Sequence, residues 1–404
     1  MTKSTAQADE PATAAAGGTA SSLAVSSTTA AAAATAAIAA TAGGRAGDIH
    51  IEARGAAGLI TFDRPRALNA VTTAMRAAIA EAIPRFARDP MIYCLILQSA
   101  TPRAFSAGGD VRELAAWGRD DRDRARAAFA AEYRLNWALD CLARPIISLI
   151  DGAVMGSGVG LTLYGTHRVA GEGYAFAMPE TAIGLFPDVG LAHVFARMPD
   201  EIGTYLGLTG RTIGRADAYH LGLVTHCIAA TEFPAIVAAL VDAQPVDALL
   251  DRVHHDPGPG EVIARRQLIQ QCFSPASVLE IIGCLEALHQ AGLERDAADW
   301  VHGVLADLSR RSPTSLAITL RHLREARSRD LREVLEIDYR LACRCLDGHD
   351  FYEGVRAALI DKDGRPVWQP ARLEDVTPDI IDGIFAPLGQ DQLELPTRVE
   401  MQRV

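Results

Sequence analysis

Pro145-Ile146-Ile147-Ser148-Leu149-Ile150-Asp151-Gly152, followed closely by Met155-Gly156-Ser157-Gly158-Val159-Gly160-Leu161, is the stretch that sets the fold class. Five largely apolar residues between a proline and a glycine read as a buried strand, and the glycine-bearing segment after it opens a helix. The same grammar extends upstream. Ile49–Ala53 alternates, Gly55 turns, and Gly58–Phe62 is a second strand closed by Asp63-Arg64-Pro65. Helical spacing covers Thr72–Phe86, Tyr93–Leu97 is a buried strand, and helical patterns start at Val111 and run from Phe129 to Leu142. Strands and helices alternate to about Cys227, which predicts an α/β layout.

Beyond Ala229 the period changes. Most segments to Asp347 carry helical spacing, interrupted at Pro257–Gly260 and Ser312-Pro313. Asp361–Pro366 is a turn-rich break, and Pro378–Phe385 reads as a last short helix. The chain thus divides into a tail at 1–47, an α/β core at 48–230 and a mainly helical region at 231–404. The tail is Ala, Thr, Ser and Gly with almost no large apolar residue, a composition expected to stay disordered.

The 404 residues are 49% hydrophobic and 22% charged, enough for a sizeable core. A formal charge of -11 argues against a nucleic-acid partner, since phosphate backbones need a basic footprint. Cys94, Cys141, Cys227, Cys272, Cys284, Cys343 and Cys345 are scattered with no CxxC pair, so neither a disulfide framework nor a metal site is expected. His254-His255 has no metal-ligand spacing around it and reads as a solvated loop. Early acids at Asp9 and Glu10, scarce arginine and the lack of a Leu-rich segment make a poor signal or transit peptide. The Ala-rich run is too weakly apolar for a membrane span. A cytoplasmic location is expected.

Two glycine-bearing segments carry the chemistry: Phe105-Ser106-Ala107-Gly108-Gly109-Asp110, and Met155 to Leu161. Glycine lets backbone approach a ligand, and a helix start presents free N–H groups. Two such groups converging on one point would stabilise an oxyanion, though the same glycines also serve ordinary turns and close helix packing. There is no Gly-Lys-Ser/Thr for a nucleotide loop, and the spacing is wrong for a dinucleotide site. The nearly apolar run Met178–Gly190 holds only two carboxyls, Glu180 and Asp188. Burial there would raise their pKa toward the range useful in acid–base work. Asp188 reads equally as the cap of a helix running through Val194, whereas Glu180 precedes no strong helical pattern.

Arg64-Pro65-Arg66-Ala67-Leu68-Asn69-Ala70, the Phe105–Asp110 loop and Ile183-Gly184-Leu185-Phe186-Pro187 resemble the crotonase (enoyl-CoA hydratase/isomerase) superfamily. Met178–Gly190, Ser312-Pro313-Thr314-Ser315-Leu316 and Gly348–Asp363 resemble its 3-hydroxyisobutyryl-CoA hydrolase branch, and the likeness runs from about Ile49 to Leu388. It implies a spiral of strand-strand-helix units followed by a helical region, and hydrolysis of a short branched 3-hydroxyacyl-CoA, as in valine breakdown. The substrate is then an acyl-CoA, with no separate cofactor, no metal, no membrane partner, and oligomeric state left open.

Carried over by position, the resemblance implies backbone donors at Gly109 and Ser157, the latter at a place where the family usually has glycine. Glu180 acts as base or nucleophile and Asp188 binds the substrate hydroxyl or positions water. Glu132 supports the acyl pocket, although its Arg-rich helical stretch otherwise reads as a solvated face. Arg66 approaches the coenzyme A phosphates, and Ala67, Leu68, Ala107, Gly108, Asp110 and Gly156 contact substrate. Hydratases of the superfamily carry a second glutamate where this chain has Gly160. His193 departs from the branch and reads either as a pocket residue or as a packed or surface one. An enoyl-CoA hydratase or isomerase, and a non-catalytic acyl-CoA-binding protein, are the alternatives.

Overall fold

Ile146–Ile150 is a strand buried along its whole length, with neighbours on both faces. Ile146 and Ile150 join one apolar cluster and Ile147 and Leu149 another, so the period of two sorts one continuous apolar run between two cores. A computed structural model describes residues 47–402. The tail assigned to 1–47 lies outside the described residues except for Gly47.

The ten strands among the described residues are β1 (Ile49–Arg54), β2 (Ala57–Phe62), β3 (Cys94–Ser99), β4 (Ala104–Ser106), β5 (Ile146–Ile150), β6 (Ala153–Met155), β7 (His167–Ala170), β8 (Ala175–Ala177), β9 (Ile213–Gly214) and β10 (His226–Cys227). They form two sheets, ordered β1-β2-β3-β5-β7-β10 and β4-β6-β8-β9. Each of β3–β4, β5–β6 and β7–β8 sends its first strand to the larger sheet and its second to the smaller one. Most pairings are parallel, from Leu95 opposite Ile146 in one sheet to Val154 opposite Phe176 in the other. The chain therefore winds as a spiral of strand-strand-helix turns, the crotonase-like α/β architecture.

The helices that position the site are α1 (Thr73–Arg88), α2 (Val111–Asp120), α3 (Arg122–Cys141), α4 (Ser157–Thr162) and α5 (Leu191–Phe195). Thr72 caps α1 by accepting from the Met75 N–H at 3.2 Å, and Asp121 caps α3 through Arg124 N–H at 3.1 Å. After β10 the chain is helical. Its principal pieces are α6 (Pro313–Ala326), α7 (Leu331–Asp347) and α8 (Asp350–Val355). Leu316, Leu323, Val334 and Leu341 share one apolar cluster with Phe105, Phe129 and Phe186, so the helical region and the spiral are built on a common core. No helix among the described residues is long and apolar enough to cross a membrane.

Candidate active site

The parallel strands β4, β6 and β8 lie side by side, and each delivers site residues beyond its carboxyl end. Gly108 and Gly109 follow β4, Gly156 and Ser157 follow β6, and Glu180 follows β8. This is where an α/β sheet gathers loops into a binding crevice. The resulting cavity is about 570 Å³. All twelve residues singled out from the sequence line it: Arg66, Ala67, Leu68, Ala107, Gly108, Gly109, Asp110, Glu132, Gly156, Ser157, Glu180 and Asp188.

The Arg64–Ala70 stretch reaches the cavity as a 3-10 turn, Pro65–Ala67, with Leu68 and Asn69 in the left-handed region. Asn69 explains the motif. Its amide nitrogen donates to the Ala104 and Phe105 carbonyls, both at 3.1 Å, while its backbone carbonyl accepts from Ser106 Oγ at 2.9 Å. The turn is thereby tied to the loop bearing Gly108 and Gly109. Asp110 pairs with Arg64 at 3.1 Å and Arg112 at 3.5 Å, fixing the far end of that loop.

Two backbone N–H groups are left over. Val71 bridges Gly109 in parallel fashion: Val71 N–H donates to the Gly108 carbonyl at 2.7 Å and Asp110 N–H to the Val71 carbonyl at 3.0 Å. That pattern uses the neighbours of Gly109 and leaves its own N–H without an acceptor among the described residues. Ser157 is the first residue of α4, so its N–H has no intrahelical partner. The two residues meet closely, since a Cβ built on Gly109 would lie 2.7 Å from Ser157 Oγ.

Gly156 has φ 45° and ψ -123°, a conformation that favours glycine. A Cβ there would stand 3.0 Å from Glu180 Oε1 and 4.0 Å from the Gly109 nitrogen. Glu180, the Gly109 amide and the start of α4 therefore converge around one small volume. Glu180 heads a 3-10 turn, Glu180–Ile183, too short to leave a helical pattern in the sequence. It is 7% exposed, and its Oε2 has no hydrogen-bond partner among the described residues. Burial pushes its carboxyl up to about 8, with the charge of Glu132 adding to the rise and its own backbone N–H and Arg311 opposing it.

Asp188 is not a helix cap. Gly190 occupies the position before α5, and the Asp188 carboxylate instead accepts the Tyr133 hydroxyl at 2.8 Å. Burial and the nearby charges of Glu132, Glu180 and Asp338 hold its pKa well above the usual carboxylate range, against the Tyr133 bond. Glu132 corrects the solvated-face expectation. It is 4% exposed and faces Arg76 of α1 across 3.5 Å, because α3 turns this side toward α1 and the cavity. His193 does not line the cavity; its Nδ1 lies 3.3 Å from the Arg329 carbonyl in a packed setting.

Gly160 has a steric reason. A Cβ at this position would meet Asn136 Nδ2 and Val189 Cβ, each at 2.8 Å, so α4 packs too closely here to hold a glutamate.

Sequence reasoning missed the contribution of the helical region to the cavity. Ala358, Leu359 and Lys362 line it, from the Gly348–Asp363 motif whose role had no assignment. Arg356 binds Glu353, Asp361 and Asp363 at 2.7–2.8 Å, which neutralises the acids flanking Lys362. Lys362 is one of two lysines in the chain, with Lys3, against an arginine-rich background. That imbalance was the available signal. The same region braces the turn after Glu180: Ser312 N–H donates to the Thr181 carbonyl at 3.1 Å and Ser312 Oγ to Asp350 at 2.6 Å.

The chain resembles known proteins over most of its length. The family model described as enoyl-CoA hydratase/isomerase matches residues 57–385. The 3-hydroxyisobutyryl-CoA hydrolase, mitochondrial, of Xenopus tropicalis is 40% identical over 86% of this chain and 91% of its own length. The Gallus gallus protein of the same name is 38% identical over 87% and 91%. The solved structure of an enoyl-CoA hydratase from Rhodobacter sphaeroides 2.4.1 superposes with a TM-score of 0.79, at 37% identity over 86% of this chain and all of its own.

The expected cytoplasmic location is corrected by these relatives, which are named as mitochondrial enzymes. That expectation leaned on residues 1–47 and on the cysteines. All seven cysteines are free, which does not choose between compartments. By the span of the family match and its identity to these relatives, the chain belongs to the enoyl-CoA hydratase/isomerase family, in the 3-hydroxyisobutyryl-CoA hydrolase branch.

Proposed function

We propose that the protein hydrolyses 3-hydroxyisobutyryl-CoA to 3-hydroxyisobutyrate and coenzyme A, a reaction that would place it in valine degradation. The observation that carries this reading is the meeting of the Gly109 and Ser157 amides with Glu180 in one cavity, with Asp188 lining the same cavity. The two N–H groups act as an oxyanion hole. They polarise the thioester carbonyl and stabilise the tetrahedral oxyanion that forms when it is attacked. Glu180, once ionised, either takes a proton from the attacking water or attacks the carbonyl itself to give a mixed anhydride that water then opens. In both routes the sulfur leaves with coenzyme A. Asp188, held by Tyr133, receives the substrate 3-hydroxyl. Glu132 shapes the acyl end, and Lys362 joins Arg66 at the cavity wall to bind coenzyme A phosphates.

Gly160 favours this over hydration of a double bond, because the contacts with Asn136 and Val189 leave no room for a second glutamate. The chemistry needs no further cofactor. A panel of short acyl-CoA thioesters with free-thiol detection tests the reading. Release of thiol should be fastest with 3-hydroxyisobutyryl-CoA, and hydration of crotonyl-CoA without thiol release would overturn it.

A further inference from the structure

Asp338 and His322 form a buried pair that no step above uses. Asp338, on α7, is fully buried, and His322, on α6, is 1% exposed. Asp338 Oδ1 lies 2.7 Å from His322 Nε2, and its Oδ2 accepts the Gly190 N–H at 2.7 Å. The His322 ring also packs edge-on against Phe186, with centroids 5.8 Å apart. The pair thus touches the chain two residues before Asp188 and two residues after it.

The segment it grips is strained. Val189 has φ 50° and Gly190 φ 81°, two consecutive residues in the left-handed region, and a β-branched residue is costly there. Such a turn persists only when its surroundings over-determine it. Tyr164 supplies one restraint through its hydroxyl to the Val189 carbonyl, Tyr133 another through Asp188, and Asp338 the third through the Gly190 amide. Burying an acid and an imidazole together is a poor way to gain stability, since a well-packed apolar pair does as well or better. His322 Nδ1 has no partner among the described residues, which adds to the cost. A carboxylate gives what an apolar side chain cannot, namely a directional hold on one backbone N–H.

We propose that Asp338, oriented by His322, is a positioning residue for the hydrolysis: by fixing the Gly190 amide it sets the direction in which Asp188 presents its carboxylate to the acyl group. The proposal rests on the functional reading above. It assigns the helical region a part in substrate discrimination as well as in bracing the fold.

The test is a double-mutant cycle in the full chain, with Asp338→Ala, Asp188→Asn and the double variant assayed on 3-hydroxyisobutyryl-CoA and isobutyryl-CoA. Asp338→Ala should lower kcat on the hydroxylated substrate by about tenfold to a hundredfold, the scale of a small misplacement, with KM within about twofold. Its preference for the hydroxylated substrate should collapse as it does in Asp188→Asn. In the Asp188→Asn background the same change should cost almost nothing more. Asp338→Asn keeps an acceptor for Gly190 and should restore most of the activity. Equal losses in both backgrounds, or unchanged kcat, would overturn the proposal. Should Asp338→Ala prove insoluble, His322→Leu and His322→Gln carry the same cycle: leucine should reproduce the kcat loss and glutamine should relieve it. Wild-type turnover is read first. Absent thiol release there defeats the functional reading, whereas an active wild type with additive losses defeats only the role of Asp338.

Discussion

The Tyr133 hydroxyl donates to Asp188 Oδ2 across 2.8 Å, joining the middle of α3 to the turn before α5. The bond gives Asp188 a fixed side-chain partner and leaves its second oxygen for other contacts. Tyr133→Phe removes the donor while keeping the ring. It should lower kcat for 3-hydroxyisobutyryl-CoA by about tenfold and cost about 1 kcal/mol of stability, the usual scale for one buried hydrogen bond. Asp188→Asn should impair the 3-hydroxyacyl substrate more than isobutyryl-CoA, since the acceptor for the hydroxyl is weakened. Kinetics on the two substrates decide this, and an equal loss on both would assign Asp188 to water positioning instead.

Glu180 makes activity and stability run in opposite directions with pH. Burial raises its carboxyl from 4.5 to about 8, so the ionised form needed for attack becomes the major one as pH rises through about 8. The kcat/KM profile should rise through about pH 8 and level off. Between about pH 4.5 and 8 the unfolded chain binds fewer protons at this site than the folded one. The stability contribution is full below about 4.5 and is lost as pH rises through about 8. Glu180→Gln should abolish that decline and raise the melting temperature at alkaline pH. Melting curves across pH would show an unchanged slope if Glu180 were not the buried acid responsible.

The role given to Ser157 rests on its N–H. Ser157→Gly should be tolerated and Ser157→Pro, which deletes the donor, should abolish turnover. Gly156→Ala should also be severely impaired, because its Cβ would meet Glu180 Oε1 at 3.0 Å in a positive-φ conformation. If Ser157→Ala proves as damaging as the proline change, the hydroxyl matters and the assignment to the backbone is wrong.

Lys362 has no ion-pair partner among the described residues, because Arg356 holds both neighbouring aspartates. Lys362→Gln should raise KM for coenzyme A thioesters by about tenfold, the value of roughly one phosphate contact, and leave kcat near wild type. A pantetheine thioester lacking the nucleotide should be indifferent to the change. Equal effects on both substrates would place Lys362 at the acyl end.

The readable parts of this chain were local. Ile146–Ile150 announces itself because proline and glycine bracket an apolar run, and Pro378–Phe385 because proline opens a helix well, here behind a Thr377 cap. Eight of the twelve cavity residues lie in the two glycine-bearing segments and the apolar Met178–Gly190 run, which the residues themselves mark out, and Arg66, Ala67, Leu68 and Glu132 followed from the family resemblance alone. What stayed hidden depends on contacts distant in sequence. Glu132 reads as a surface acid until Arg76 of another helix is seen beside it. Asp188 passes for a cap until Tyr133, 55 positions away, claims its carboxylate. Glu180 sits on a four-residue 3-10 turn, too short to leave a period. Lys362 is brought to the cavity by the Gly348–Asp363 segment, whose packing against Ile183 and Gly184 no local pattern encodes.

The most direct test of Glu180 as the group that drives hydrolysis is kcat and KM for Glu180→Gln on 3-hydroxyisobutyryl-CoA, followed by free-thiol release. Glutamine fills the same space but can neither accept a proton nor form an anhydride. We expect kcat to fall by about two orders of magnitude or more with KM changed far less, because coenzyme A supplies most of the contact. A variant that releases thiol at a near-wild-type kcat would remove Glu180 from the mechanism.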